Sequence, residues 1–241
     1  VQREIVRILD NFTELEAELE AELEARRLQH AHFRTQLLTD SGSGIYKPQS
    51  LGGIADFKYG YTAKARDEGG YRFLRITDID PWGKLLPEGP KYVDGAAELA
   101  DYVVAPGDLL MARTGATYGK TMLVTEGKPA VYASFLIRIR VDKNVVLPAY
   151  YWHFAQSQLF WSQARSMVST GGQPQFNANV LKLVELPVPP IEEQERIVEA
   201  LDKFDALVND LSIGLPAELA ARRKQYEYYR DKLLTFEEAP A

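Results

Sequence analysis

Apolar side chains near the start of the chain fall at Ile5, Ile8, Phe12, Leu15 and Leu19, in steps of 3, 4, 3 and 4, with Leu23 following. That spacing lays them along one face of a helix as a coiled-coil seam. It predicts a helix from about Arg3 to Leu38, about 54 Å long at about 1.5 Å per residue. A second stripe runs through Ile197, Leu201, Phe204, Leu207, Leu211, Leu215 and Leu219. Gly214 and Pro216 interrupt it, and Pro216 reads as the start of a new helical segment.

Between the stripes the periodicity changes. Thr39 to Pro48 is a helix stop and linker. Tyr71 to Ile79 alternates like a half-buried strand, Asp108–Arg113 and Thr121–Thr125 bracket a glycine-containing turn, and Val131–Val141 is the strongest strand. Pro148 to about Met167 reads as one helix, Val168–Asn177 as a polar loop, and Val180–Leu183 as a short helix or turn. Leu186–Ile191, with three prolines, is a rigid extended lead into the second stripe. The predicted fold class is α+β, one globular mixed α/β domain with two long antiparallel, coiled-coil-like helices. The boundaries fall at 1–40, 41–190 and 191–241.

The two stripes repeat each other. Gln2–Leu15 matches Gln194–Leu207 at an offset of 192, and Arg26–Thr39 matches Arg222–Thr235 at an offset of 196, with 7 of 14 positions identical in each block. The four extra residues in the second copy are close to one helical turn, so the apolar face nearly keeps its phase. Each seam needs a partner, and the other copy is the nearest one. An antiparallel pair is the simplest way for the chain to leave and return. Ile5, Phe12, Leu15 and Leu19 are expected to pack against Ile197, Leu201, Phe204 and Leu211. Inside the first helix, Leu15-Glu-Ala-Glu, Leu19-Glu-Ala-Glu and Leu23-Glu-Ala-Arg form a smaller repeat that lengthens a helix in steps of about 6 Å.

Charge sharpens this division. The net charge of -6 is uneven: residues 1–40 carry -4, residues 191–241 carry -5, and residues 41–190 carry +3. Acidity therefore belongs to the flanks, and the middle block is compatible with a nucleic-acid partner. The absence of cysteine excludes disulfide frameworks and thiolate metal sites. With no apolar run near the roughly 18 residues of a membrane span and no secretory leader, a reduced, cytoplasmic setting is expected. Val1 is no initiator methionine, and the chain reads as a piece cut from a longer protein.

Catalytic chemistry finds no constellation here. Gly115–Thr121 approaches a phosphate-binding loop but has three residues between its glycines where four are needed, and a strand rather than a helix is expected after it. A nucleotide-binding enzyme built on this loop is the rival reading. His30, His32 and His153 form no ligand set, so no metal and no cofactor are expected.

What remains is loops bearing side chains suited to DNA. One carries Lys58, Tyr59, Tyr61, Thr62, Lys64 and Arg66, basic and aromatic groups around a glycine. A second carries Arg113, Thr114, Thr117, Tyr118 and Lys120. A third carries Thr170, Gln173, Gln175 and Asn177, and Arg75 lies on the alternating segment. Lys and Arg position a chain on phosphates, whereas Arg, Gln, Asn and Thr read base edges. Lys120 is expected among the phosphate contacts and Gln173 among the base readers.

Taken together, Leu186-Pro-Val-Pro-Pro-Ile-Glu-Glu-Gln194 leading into Ile197–Leu201, the run Leu215–Leu234, Leu51-Gly-Gly-Ile-Ala and Gly107–Gly115 resemble the specificity subunits of type I restriction–modification systems. The resemblance implies a non-catalytic subunit with two target recognition domains alternating with two conserved helices, each domain reading half of a split site in double-stranded DNA. It further implies docked methyltransferase subunits that methylate adenine, joined by restriction subunits. On this basis 1–40 is a spacer helix, 41–190 one target recognition domain, and 191–241 the second conserved helix with its tail. The chain then corresponds to the second half of a full subunit, and self-association of a solitary half through its long helices is the alternative. A coiled-coil interaction module without DNA specificity is a further rival.

Overall fold

The computed structural model describes residues 2–39, 46–95, 97–125, 129–168, 176–209 and 214–235. The chain divides into two compact units, residues 1–33 with 200–241, and residues 34–199. Among the described residues, no helix is long and apolar enough to cross a membrane.

The first unit is a helix pair. Helix α1 (Gln2–Thr39) enters it as far as Phe33, and the return is made by the end of α6 (Ile191–Asn209) and by α7 (Gly214–Leu234). Phe12 meets Tyr226 and Tyr229, Arg223 reaches Glu16 and Glu20, Leu23 packs with Val208 and Leu219, and Phe33 stacks on Phe204. Rising numbers on α1 meet falling numbers on the return, so the pair is antiparallel. The return is broken where the sequence marks it. Gly214 has φ +73°, and a Cβ there would lie 2.4 Å from the Leu207 carbonyl oxygen, so only glycine fits.

Of the expected packing residues, Ile5 and Leu201 are buried, Phe12, Leu19 and Phe204 are half-buried, and Ile197 is buried within the second unit. Leu15 is 48% exposed. The line of contact on α1 runs through Phe12, Glu16, Leu19, Glu20 and Leu23, and Leu15 sits about 100° around the helix from Glu16. Leu211 lies outside the described residues.

The sequence duplication reappears as duplicated contacts. The offsets of 192 and 196 make Phe12 the counterpart of Phe204, His30 that of Tyr226, and Phe33 that of Tyr229. Phe12 lies 6.1 Å from Tyr226 and 5.7 Å from Tyr229, while Phe204 lies 6.1 Å from His30 and 5.6 Å from Phe33. An aromatic triad with matching centroid distances is thus built twice from different rings, with the two copies exchanging roles, which is an approximate local twofold relation inside the unit.

Among the described residues, the second unit holds three sheets. Strands β1 (Pro48–Ser50) and β9 (Glu185–Pro187) pair antiparallel, with the short helix α2 (Leu51–Ile54) following β1. Strands β2 (Ala55–Tyr59), β8 (Leu136–Val141), β5 (Leu109–Ala112) and β6 (Thr121–Leu123) form an antiparallel sheet in that order. In the third sheet β3 (Tyr71–Leu74) lies between β4 (Tyr92–Val93), antiparallel to it, and β7 (Ala130–Tyr132), parallel to it. This sheet is buried on both faces. Leu74 and Tyr132 enter a core with Leu110, Met122 and Leu136, whereas their neighbours Phe73 and Val131 enter another with Val93 and Leu99.

Three predicted elements are broken by local hydrogen bonding. The strand expected over Val131–Val141 is two strands in different sheets, joined by a turn at Ser134–Phe135 that the Leu136 N–H closes onto the Ala133 carbonyl at 2.8 Å. The alternating run Tyr71–Ile79 leaves the sheet after Leu74, because the buried Asp78 carboxylate accepts from the Arg75 backbone N–H at 2.8 Å and pairs with its guanidinium. The helix expected over Pro148–Met167 is two, α3 (Pro148–Ala155) and α4 (Gln158–Met167), because the Ser157 hydroxyl donates to the Phe154 carbonyl and accepts from the Phe160 N–H. The last turns of α1 belong to this unit, where Leu38 is fully buried and Arg34 donates to the Gln156 carbonyl at 3.3 Å. Helix α5 (Ala178–Leu181) precedes β9.

Candidate nucleic-acid interface

Three chain segments, distant from one another in sequence, converge on Arg113. It follows β5 directly, so the sheet fixes its backbone. Its N–H donates to the Phe135 carbonyl at 3.0 Å, and its own carbonyl accepts from the Phe176 N–H at 2.8 Å. Its Nε donates to the Ser134 carbonyl at 3.0 Å. The guanidinium carbon lies 5.2 Å from the Tyr59 ring centroid and 5.9 Å from that of Phe135. Tyr59 is held in turn, its hydroxyl accepting from the Ala178 N–H at 3.1 Å. Among the described residues no carboxylate pairs with Arg113. Its two terminal nitrogens are therefore presented by a clamped side chain, with its positive charge intact.

The loop after Tyr59 is drawn against the β7–β8 turn. The Gly60 N–H donates to the Leu136 carbonyl at 3.1 Å and the Tyr61 N–H to the Tyr132 carbonyl at 2.8 Å. A Cβ on Gly60 would lie 2.1 Å from the Ala133 carbonyl oxygen, so a side chain there would break the contact. Beyond it, Tyr61 packs on Tyr102, and Lys58 lies over the Tyr102 ring and pairs with Asp101 at 3.1 Å. The Tyr132 hydroxyl donates to the Lys58 carbonyl at 3.4 Å, and burial pushes its pKa up to about 12.

The sequence-predicted residues separate into groups. Arg113, Tyr59 and Asn177 come together with Lys58 and Tyr61 on adjoining segments. Thr62 and Lys64 are exposed, and no ion pair holds Lys64 among the described residues. Arg66 pairs with Asp94 at 3.0 Å and Arg75 with Asp78, so each carries its own counter-charge. Tyr118 packs beside Phe176 and Trp161, and Thr117 is half-buried.

Three others have structural work. Thr114 is buried. Asn177 caps α5, its side-chain oxygen accepting from the Asn179 and Val180 N–H groups. Lys120 donates to the Ile79 carbonyl at 3.1 Å. Thr170, Gln173 and Gln175 lie outside the described residues. Phe135 was hidden in what reads as a continuous strand, yet it stands 53% exposed beside Arg113. The Gly115–Thr121 loop closes as a single 3-10 turn and runs into strand β6, so no helix N-terminus follows it to cradle a phosphate.

Residues 46–221 match the family described as the type I restriction modification DNA specificity domain. Similar curated proteins include a type I restriction enzyme specificity subunit of Escherichia coli, 34% identical over 98% of this chain and 59% of its own length. A putative type I restriction enzyme specificity subunit of Haemophilus influenzae is 32% identical over 98% of this chain and 62% of its own. The chain thus spans about three fifths of each of these relatives. Among solved structures, the fold is similar to a chain from a type I restriction–modification complex, with a TM-score of 0.70 at 17% identity, covering 95% of this chain and 57% of that one. It is also similar to the HsdS subunit from Thermoanaerobacter tengcongensis, with a TM-score of 0.61 at 17% identity, covering 95% and 56%.

Proposed function

The chain belongs to the type I restriction–modification DNA specificity family, and we propose that it reads one half of a bipartite double-stranded DNA site for methyltransferase subunits, with no catalysis of its own. Arg113 is the observation that carries this reading. Its guanidinium is held by a carbonyl and two rings, with both terminal nitrogens left over, as a bidentate contact to guanine O6 and N7 requires. A side chain fixed in this way has lost its freedom before binding, so little more is lost on contact. Thr62 and Lys64, on the exposed loop beside it, suit phosphate contact. The acidic helix pair is a poor surface for DNA and a suitable platform for the methyltransferase subunits, with restriction subunits joining the assembly. A cytoplasmic setting fits these partners.

The test uses the complete specificity subunit assembled with its methyltransferase subunits, with methylated sites mapped by sequencing. Arg113→Ala should relax one guanine position of the half-site, lowering discrimination there by about five- to a hundredfold, the worth of one good bidentate contact. Lys64→Ala should weaken all sequences alike and reduce the salt slope by about 1. A uniform loss for Arg113→Ala, with the same change in salt slope, would make it a phosphate contact and remove the basis for the reading.

A further inference from the structure

We propose that Phe135 is a specificity-determining residue that packs against the 5-methyl group of a thymine neighbouring the guanine read by Arg113. This rests on the DNA-reading role given above and adds the identity of an adjacent base. A single exposed apolar side chain is commonplace on a protein surface. Phe135 differs in how it is held.

Its carbonyl accepts from the Arg113 N–H at 3.0 Å, the preceding Ser134 carbonyl accepts from Arg113 Nε at 3.0 Å, and the turn is closed from Leu136 to Ala133 at 2.8 Å. The backbone that aims the ring is therefore fixed to the same arginine that presents the free nitrogens. Yet the ring is 53% exposed. Its only ring interaction among the described residues is with the guanidinium, 5.9 Å away.

That separation is less than two base steps of about 3.4 Å, so a ring beside a guanine-bound Arg113 reaches the same base pair or the next. Apolar contact with the thymine methyl is the one hydrophobic discriminator that the major groove offers. Phe135 meets Arg113 on one side, and the exposed remainder of the ring is the surface offered to the methyl group.

The experiment measures DNA binding by the complete subunit with its methyltransferase subunits, on the mapped half-site with each thymine replaced in turn by deoxyuridine. Wild type should lose about fourfold at one thymine next to the Arg113-dependent guanine, the worth of burying one methyl group. Phe135→Ala should bind the thymine site about fourfold more weakly and become indifferent to deoxyuridine at that position. Phe135→Leu, which keeps an apolar surface, should restore the sensitivity. Unchanged thermal unfolding of both variants shows that the turn is intact.

The proposal is overturned if Phe135→Ala keeps the deoxyuridine penalty, or if specific wild-type binding is indifferent to every such replacement. It is equally overturned if Phe135→Ala instead abolishes an unstacking signal from 2-aminopurine in the site, which would make the ring a wedge. A wild-type complex without sequence preference would defeat the DNA-reading role itself, a result distinguishable from all of these.

Discussion

Removing the ring of Phe12 and removing that of Phe204 should cost the helix pair the same amount. Full truncation of a buried phenylalanine to alanine costs about 3–5 kcal/mol, and these half-buried rings scale to about 2 kcal/mol each. Near-equality is expected because the two triads match in centroid distance, 6.1 and 5.7 Å around Phe12 and 6.1 and 5.6 Å around Phe204, although Tyr226 is tilted 55° to Phe12 and His30 only 14° to Phe204. The triads share no residue, so the double variant should lose about 4 kcal/mol, additively. Within one triad, a cycle of Phe12→Ala and Tyr229→Ala should show about 0.5–1.5 kcal/mol of coupling. Trp82, Trp152 and Trp161 all lie in residues 34–199, so tryptophan fluorescence follows the second unit alone. Far-UV circular dichroism during guanidinium unfolding reports helix in both units, and the part of its transition that fluorescence does not share belongs to the helix pair. Single variants differing by more than about 1 kcal/mol, or a neutral Phe204→Ala, would show that the sequence repeat is not an energetic repeat and refute the reasoning.

Gly60→Ala places a methyl group 2.1 Å from the Ala133 carbonyl oxygen, so the loop must part from the β7–β8 turn. The expected result is a loss of sequence discrimination exceeding the loss of helix-pair stability, read by methylation mapping beside circular dichroism; intact discrimination would separate this loop from DNA reading. Inserting one further Leu-Glu-Ala-Glu unit into α1 adds about 6 Å, one or two base-pair rises of about 3.4 Å. In the complete subunit, mapped sites should then show a spacer longer by one or two base pairs, and an unchanged spacer would exclude α1 as the element that sets it.

The helix pair was legible because its information is local and stated twice. Seam spacing gives part of the buried face, with Leu15 left exposed, the repeat gives the partner, and Gly214 with Pro216 gives the break. The mixed domain was legible in class but not in its joints. Val131–Val141 contains neither glycine nor proline, and the local turn that divides it at Ser134–Phe135, closed from Leu136 to Ala133, leaves no mark on the apolar pattern. Ser157 ends α3 through hydrogen bonds of its own hydroxyl, a competition that hydrophobic periodicity does not register. Arg113 was recognisable as a candidate, but its clamp is built from Tyr59, Ser134, Phe135 and Phe176, which no spacing rule connects. Phe135 itself was masked by its own apolarity, since a phenylalanine inside a strand-like run reads as core.

The doubled aromatic triad has a genetic consequence. Each triad takes its central ring from one copy and its flanking rings from the other, so what either copy offers is what the other receives. The aromatic joint itself makes no demand on which domain is spliced between its halves, provided that domain receives Leu38 and Arg34 from α1 and Ile197 from α6. Crossovers between genes sharing these two segments would exchange the intervening domain and leave the aromatic joint unaltered. Sequence diversity can then accumulate in loops such as those around Arg113 without any compensating change in the helices.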